Sequence, residues 1–191
     1  MKKAIITFLF VLLTMCVLCT ESYALFEQGN QRTTSDASAE VVETVEIGSG
    51  IRNPMMLMTL DSVKEYDKLR FTEYETGSLA QSLSKSDQNA TYIAIRGSFV
   101  NYAKKEFDSN YLRGIAIIDG YEYRVGIYTL QSRIQPLGES MYYMYALVPN
   151  RLIKSYKSCV FKFGINEDFE TDWEDYSDEK HYDYKYEIII K

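Results

Sequence analysis

The sequence predicts an all-β fold, an antiparallel two-sheet sandwich after an N-terminal signal helix, and three observations carry that expectation. Beyond residue 44 the apolar residues recur at every second position almost everywhere, the repeat of a strand that hides one face. No later segment sustains an apolar stripe at helical spacing. Turn residues, among them Asn53-Pro54, Asp119-Gly120 and Pro136 to Gly138, separate the runs, where helices would separate the strands of a parallel sheet. About seven strands at such spacing fit two packed sheets. A closed barrel is the alternative closure.

The first 24 residues read as an address. Lys2 and Lys3 precede an apolar run from Ala4 to Leu18, and Ser22-Tyr23-Ala24 supplies small residues three and one before a cut. This is the pattern of a secretory signal peptide, and the run is shorter than the roughly 20 residues of a membrane span. The alternatives are an uncleaved anchor and a lipidated cysteine. Bulky Met15 and Leu18 before Cys16 and Cys19 argue against lipidation. Cleavage after Ala24 removes 24 of 191 residues and leaves Cys159 as the one thiol, so stability has to come from a core without disulfides. Cys159 lies in the apolar run Cys159 to Phe163 and is expected to be buried and inert. Residues 25–44 are polar and read as a flexible linker, leaving 45–191 as the sandwich domain.

Within that domain, Met56, Met58 and Leu60 share one face of a strand that continues toward Val63, and Tyr66 to Tyr74 reads as a short charged edge strand. Gly77 to Gln88 is a loop, or at most one helical turn. Thr91 to Val100 alternates cleanly, with Gly97 marking a bulge or a close backbone contact. Tyr111 to Ile118 and Tyr121 to Leu130 form a hairpin, because Asp119-Gly120 adopts the positive φ values of a two-residue turn. Gln131 to Ser140 connects it to Met141 to Val148, which is apolar on both faces and so is covered twice. Lys157 to Phe163 is another strand. Beyond an acidic loop at 165–180, a C-terminal strand at 182–190 places Tyr182, Tyr184 and Tyr186 on one side.

Several of these signals stand in a familiar order: the strand Met55 to Val63, the strand Tyr92 to Val100 closing on Asn101, the Ile118-Asp119-Gly120 turn, Ile134-Gln135-Pro136-Leu137-Gly138-Glu139, and Tyr145 to Val148 closing on Pro149. Over about Val45 to Phe163 the chain resembles the telokin-like, immunoglobulin-type domains of exported bacterial proteins. The resemblance implies an immunoglobulin-like, secreted, non-catalytic sandwich. The acidic segment and the Tyr-rich strand after Phe163 depart from that pattern.

Composition narrows the chemistry. With 21 basic and 27 acidic side chains the net charge is −6, which disfavours a nucleic-acid partner. One histidine, His181, beside an acidic tract offers thin material for a nucleophile–base pair, and one mature cysteine offers no zinc cage. Gly48-Ser49-Gly50 lacks the lysine of a phosphate loop and reads as a turn. No catalytic, cofactor-binding or metal-binding residue is therefore assigned. Two features point to binding. The carboxylates Glu167, Asp168, Glu170, Asp172, Glu174, Asp175, Asp178 and Glu179 surround Phe169, Trp173 and Tyr176; carboxylate oxygens suit Ca²⁺, but no EF-hand loop is present and a solvated acidic loop is the simpler account. Seventeen tyrosines suit either a half-buried sheet face or stacking on a sugar or peptide. Tyr121 and Tyr123 beside the hairpin turn are candidates for exposure. The expectation is a secreted, cell-surface or periplasmic module that binds a protein or a glycan, with a carbohydrate- or calcium-binding module and a carboxylate-based hydrolase as alternatives.

Overall fold

The computed structural model describes residues 42–77, 81–167, 169, 176–177, 179 and 181–191, all within the compact unit Glu40–Lys191. The signal peptide, residues 25–41 of the expected linker, and most of the acidic loop, Trp173 included, lie outside the described residues.

The strands are β1 (Val42–Glu46), β2 (Gly50–Arg52), β3 (Met56–Thr59), β4 (Ser62–Tyr66), β5 (Lys68–Arg70), β6 (Ser82–Ser84), β7 (Ala90–Asn101), β8 (Phe107–Asp108), β9 (Arg113–Ile118), β10 (Tyr121–Thr129), β11 (Arg133–Ile134), β12 (Glu139–Pro149), β13 (Cys159–Ile165) and β14 (Tyr184–Ile189). Among the described residues two short α-helices, α1 (Glu73–Thr76) and α2 (Asn150–Ile153), and a single 3₁₀ turn at Ser109–Tyr111 join them.

Ten strands form one sheet along the path β1-β14-β13-β9-β10-β12-β7-β3-β2, with β4 also on β7. The two ends of that path, β1 and β2, are separated only by the turn at residues 47–49. The sheet therefore folds over on itself into a sandwich-like arrangement, and side chains from both ends meet in one core. Val45, Phe163 and Ile188 from one end pack in the same cluster as Ile51, Met58 and Ile93 from the other. Asn53 ties the ends directly: its side chain accepts from the amides of Met55 and Met56 and donates to the Tyr186 hydroxyl at 3.0 Å. Burial pushes that phenol up to about 12, with the Asn53 hydrogen bond opposing.

The hairpin across Asp119-Gly120 is present, with φ of 49° and 83° at the two turn residues. Asp119 also accepts from the amides of Lys157 and Ser158, tying the turn to the start of β13. Gly97 is a close contact: a Cβ there would lie 1.8 Å from the Thr59 carbonyl oxygen. At that point the chain leaves β3, buries Leu60, and returns to β7 as β4, so one expected strand becomes two. β12 is covered on both faces, as its pattern predicts.

Other expectations are corrected. β1 begins at Val42, so residues 42–44 belong to a strand and not to the linker. It pairs with β14 in parallel, an exception to the antiparallel rule of the sheet. Tyr66 to Tyr74 is not one edge strand, because the chain turns after β4 into β5 and then α1. The stretch Gly77 to Gln88 holds β6, which pairs with β5, and Gln131 to Ser140 holds β11, which pairs with β8. Tyr182 does not continue the face of Tyr186. It precedes β14, and its ring covers Gly164, where a Cβ would fall 2.3 Å from Tyr182 Cγ.

Candidate functional site

The face of β4, β7, β12 and β10 turned away from the main core carries a second apolar cluster. Period-two geometry places there the residues that alternate with the core set. Register then aligns them in rows: Tyr128, Tyr143, Arg96 and Ser62 in one, Gly126, Tyr145, Ala94 and Lys64 in the next, and Leu147, Tyr92 and Tyr66 in a third. Five tyrosines thus share one surface, and Tyr66, Tyr128 and Tyr145 remain half-buried.

Part of this surface is roofed by the excursion between β4 and β7. Leu69 of β5 and Phe71 are fully buried in a second apolar cluster. Phe71 lies 5.1 Å from both the Tyr128 and Tyr143 rings, and the Tyr143 hydroxyl donates to the Arg70 carbonyl at 2.9 Å. Tyr66 meets Tyr143 edge-on at 5.5 Å, and Tyr92 meets Tyr145 edge-on at 5.1 Å, the arrangement that ring quadrupoles favour. Tyr145 covers Gly126, whose missing side chain makes room for the ring.

At the centre is Arg96. Its guanidinium carbon is 5.6 Å from the Tyr143 ring centroid, a cation–π distance. Nη2 pairs with Glu75 of α1, and the Nε atom is buried without an acceptor. Burial raises the phenol pKa of Tyr66 and Tyr143, with the Arg96 charge opposing in each. These hydroxyls are therefore neutral donors, suited to hydrogen bonding. Sequence reading missed Arg96, Glu75 and Phe71 as members of a site. A signal was present: Thr72-Glu73-Tyr74-Glu75 has the spacing of a helix-capping box, and Gly77 takes the left-handed φ of 71° that ends such a helix.

The residues singled out from sequence lie elsewhere. His181 is exposed, 4.0 Å from Asp183. Cys159 is buried, and burial pushes its thiol up to about 12. Gly48-Ser49-Gly50 forms the turn between β1 and β2, with Gly48 at φ 92°. Tyr121 is exposed at the hairpin, whereas Tyr123 is half-buried against the main core. Of the acidic loop, Phe169 is buried against Phe107, and Tyr176 stacks on Tyr182. Among the described residues no group of three His, Cys, Asp or Glu side chains converges as a metal site would require. No helix among them is long and apolar enough to cross a membrane.

No protein-family model matches the chain, and no curated protein matches it. Among solved structures, it is similar to an uncharacterized β-sandwich protein from Clostridium difficile 630, known from a crystal structure. The TM-score is 0.59 at 18% identity, over 82% of this chain and 99% of that one. That likeness places the fold among β-sandwiches.

Proposed function

We propose that the chain is a non-catalytic binding module that works outside the cell, and that its ligand surface is the tyrosine-lined outer face around Arg96. The observation that carries this reading is the second aromatic layer itself: Tyr66, Tyr128 and Tyr145, all half-buried, share one sheet face with a partly exposed guanidinium that lies over the Tyr143 ring, on a sheet that has the main core on its other side. A sheet needs one buried face to fold, so a second aromatic face beyond the Phe71 roof is surplus to stability. Flat rings with hydroxyls at their rims suit the faces of sugar rings, which favours a glycan over a protein partner. Export rests on the Lys2 to Ala24 pattern, and membership among telokin-like, immunoglobulin-type domains rests on the motif order between Val45 and Phe163.

A glycan and peptide array probed with the domain tests the reading. Hits concentrated among glycans, weakened about tenfold by Tyr145→Ala or Tyr128→Ala, are the expected result. Binding that is indifferent to both substitutions moves the site to another surface. Export is tested separately by the mature N-terminus, expected at Leu25.

A further inference from the structure

Arg96 constrains which sugar the face would take. Its side chain keeps 30% of its exposure, and that of Glu75 keeps 13%. Nη2 is held by Glu75 Oε1 and lies 3.9 Å from Met141 Sδ, while Nε is buried and has no acceptor. Those two nitrogens carry the parallel N–H bonds that a carboxylate accepts side-on, as a pair. Glu75 is unable to complete the pair, because its Oε2 already accepts from the Thr72 amide at 2.7 Å and from the Thr72 hydroxyl at 3.0 Å. The guanidinium is thus half filled by a carboxylate belonging to the chain itself. The Tyr143 ring lies against it, Tyr66 meets that ring edge-on, Tyr128 pairs with Tyr143 one strand further along, and Lys64 is exposed one row along the same face.

We propose that this face binds an acidic sugar of the hexuronate type, whose carboxylate accepts from both Nε and Nη2 of Arg96 and displaces Glu75, while the sugar ring rests on the neighbouring tyrosines. Glu75 is then an internal competitor that occupies the cation in the empty state and returns to α1 when the ligand enters. The inference rests on the glycan-binding reading above and adds the charge of the ligand to it.

Calorimetric titration with oligogalacturonate and with an uncharged galactan of equal length tests it. The acidic oligomer is expected to bind about tenfold more tightly or better, the worth of one charge-assisted hydrogen bond. Glu75→Gln keeps the size of the side chain and an oxygen acceptor for Thr72 but removes the competing charge. It is expected to raise affinity for oligogalacturonate about tenfold, by removing that competition, and so to widen the preference for the acidic oligomer over the galactan. Arg96→Gln is expected to abolish the preference. Equal binding of both oligomers overturns the acidic-sugar inference and leaves the glycan reading standing. A Glu75→Gln protein that melts lower without binding more tightly also overturns it, since Arg96 would then be a tie between α1 and the sheet. Absence of binding to either oligomer and to every glycan on the array removes both.

Discussion

Leu137 adopts φ 62° while 79% of its surface is exposed. A side chain with a Cβ pays about 1–2 kcal/mol for the left-handed region, and this one gains almost no burial in return. The turn is held by its backbone: Leu137 donates to the Asn101 carbonyl at 2.7 Å, and Gly138 donates to that of Gln135 at 2.8 Å. Leu137→Gly is therefore expected to raise the melting temperature by about 2–4 °C, the equivalent of roughly 1 kcal/mol in a chain of this size. Thermal denaturation followed by circular dichroism reads the result. Asp119 gives a pH-dependent counterpart. Its carboxyl is held below the usual carboxylate range, first by the Lys157 amide, then by that of Ser158. A depressed folded-state pKa stabilises the fold above the unfolded value of about 3.9, and the contribution is lost as pH falls through the folded value. Asp119→Asn tolerates the same positive φ but does not titrate. The wild type is expected to melt above Asp119→Asn at neutral pH, with the two melting temperatures converging as the pH is lowered below about 4. The Asp-Gly turn was legible from the sequence because its two residue types demand that conformation. The link from Asp119 to Lys157 was not, because it joins distant segments.

The excursion formed by β5, α1 and β6 behaves as one element, and Phe71 is its main anchor. The ring is fully buried between Tyr128 and Tyr143, so Phe71→Ala is expected to cost about 3–5 kcal/mol. Urea denaturation measures that loss. If the excursion detaches locally instead, hydrogen exchange would show the amides of residues 68–70 and 82–84 losing protection while β9 and β13 keep theirs. This element shows where sequence reading stops. Period two marks a strand when its run is long, as in Thr91 to Val100, but β5 and β6 are three residues each. Such short pieces owe their structure to Leu69 and Phe71 finding a surface, which depends on tertiary packing and not on local pattern. The same reason hid the tyrosine face around Arg96. The tyrosines of β12 announced a strand covered twice, yet nothing local places Glu75 of a four-residue helix on an arginine of β7.

At the scale of the molecule the core holds the fold together without a disulfide from Cys159, the one cysteine among the described residues. Cys159 is buried between β9 and β14, its thiol pushed up to about 12 by burial. With Cys16 and Cys19 replaced by serine, the folded protein is expected to leave Ellman's reagent unreacted at pH 8 for hours and to react at once in denaturant. The slow native rate then reports opening of the whole domain. The broad architecture was readable because alternation, turns and the absence of helical stripes all agreed. The order of strands was not, since nothing local tells β1 to join β14.

That pairing sets the order of events when the domain assembles. Val45 meets Ile188 across the ladder, so β1 finds its neighbour only after β14 has been made. The intervening strands can collapse earlier, but the seam stays open until then, and contacts this far apart along the chain make for slow folding. A domain whose first strand waits on β14 keeps that edge of its core uncovered while the strands between them are made.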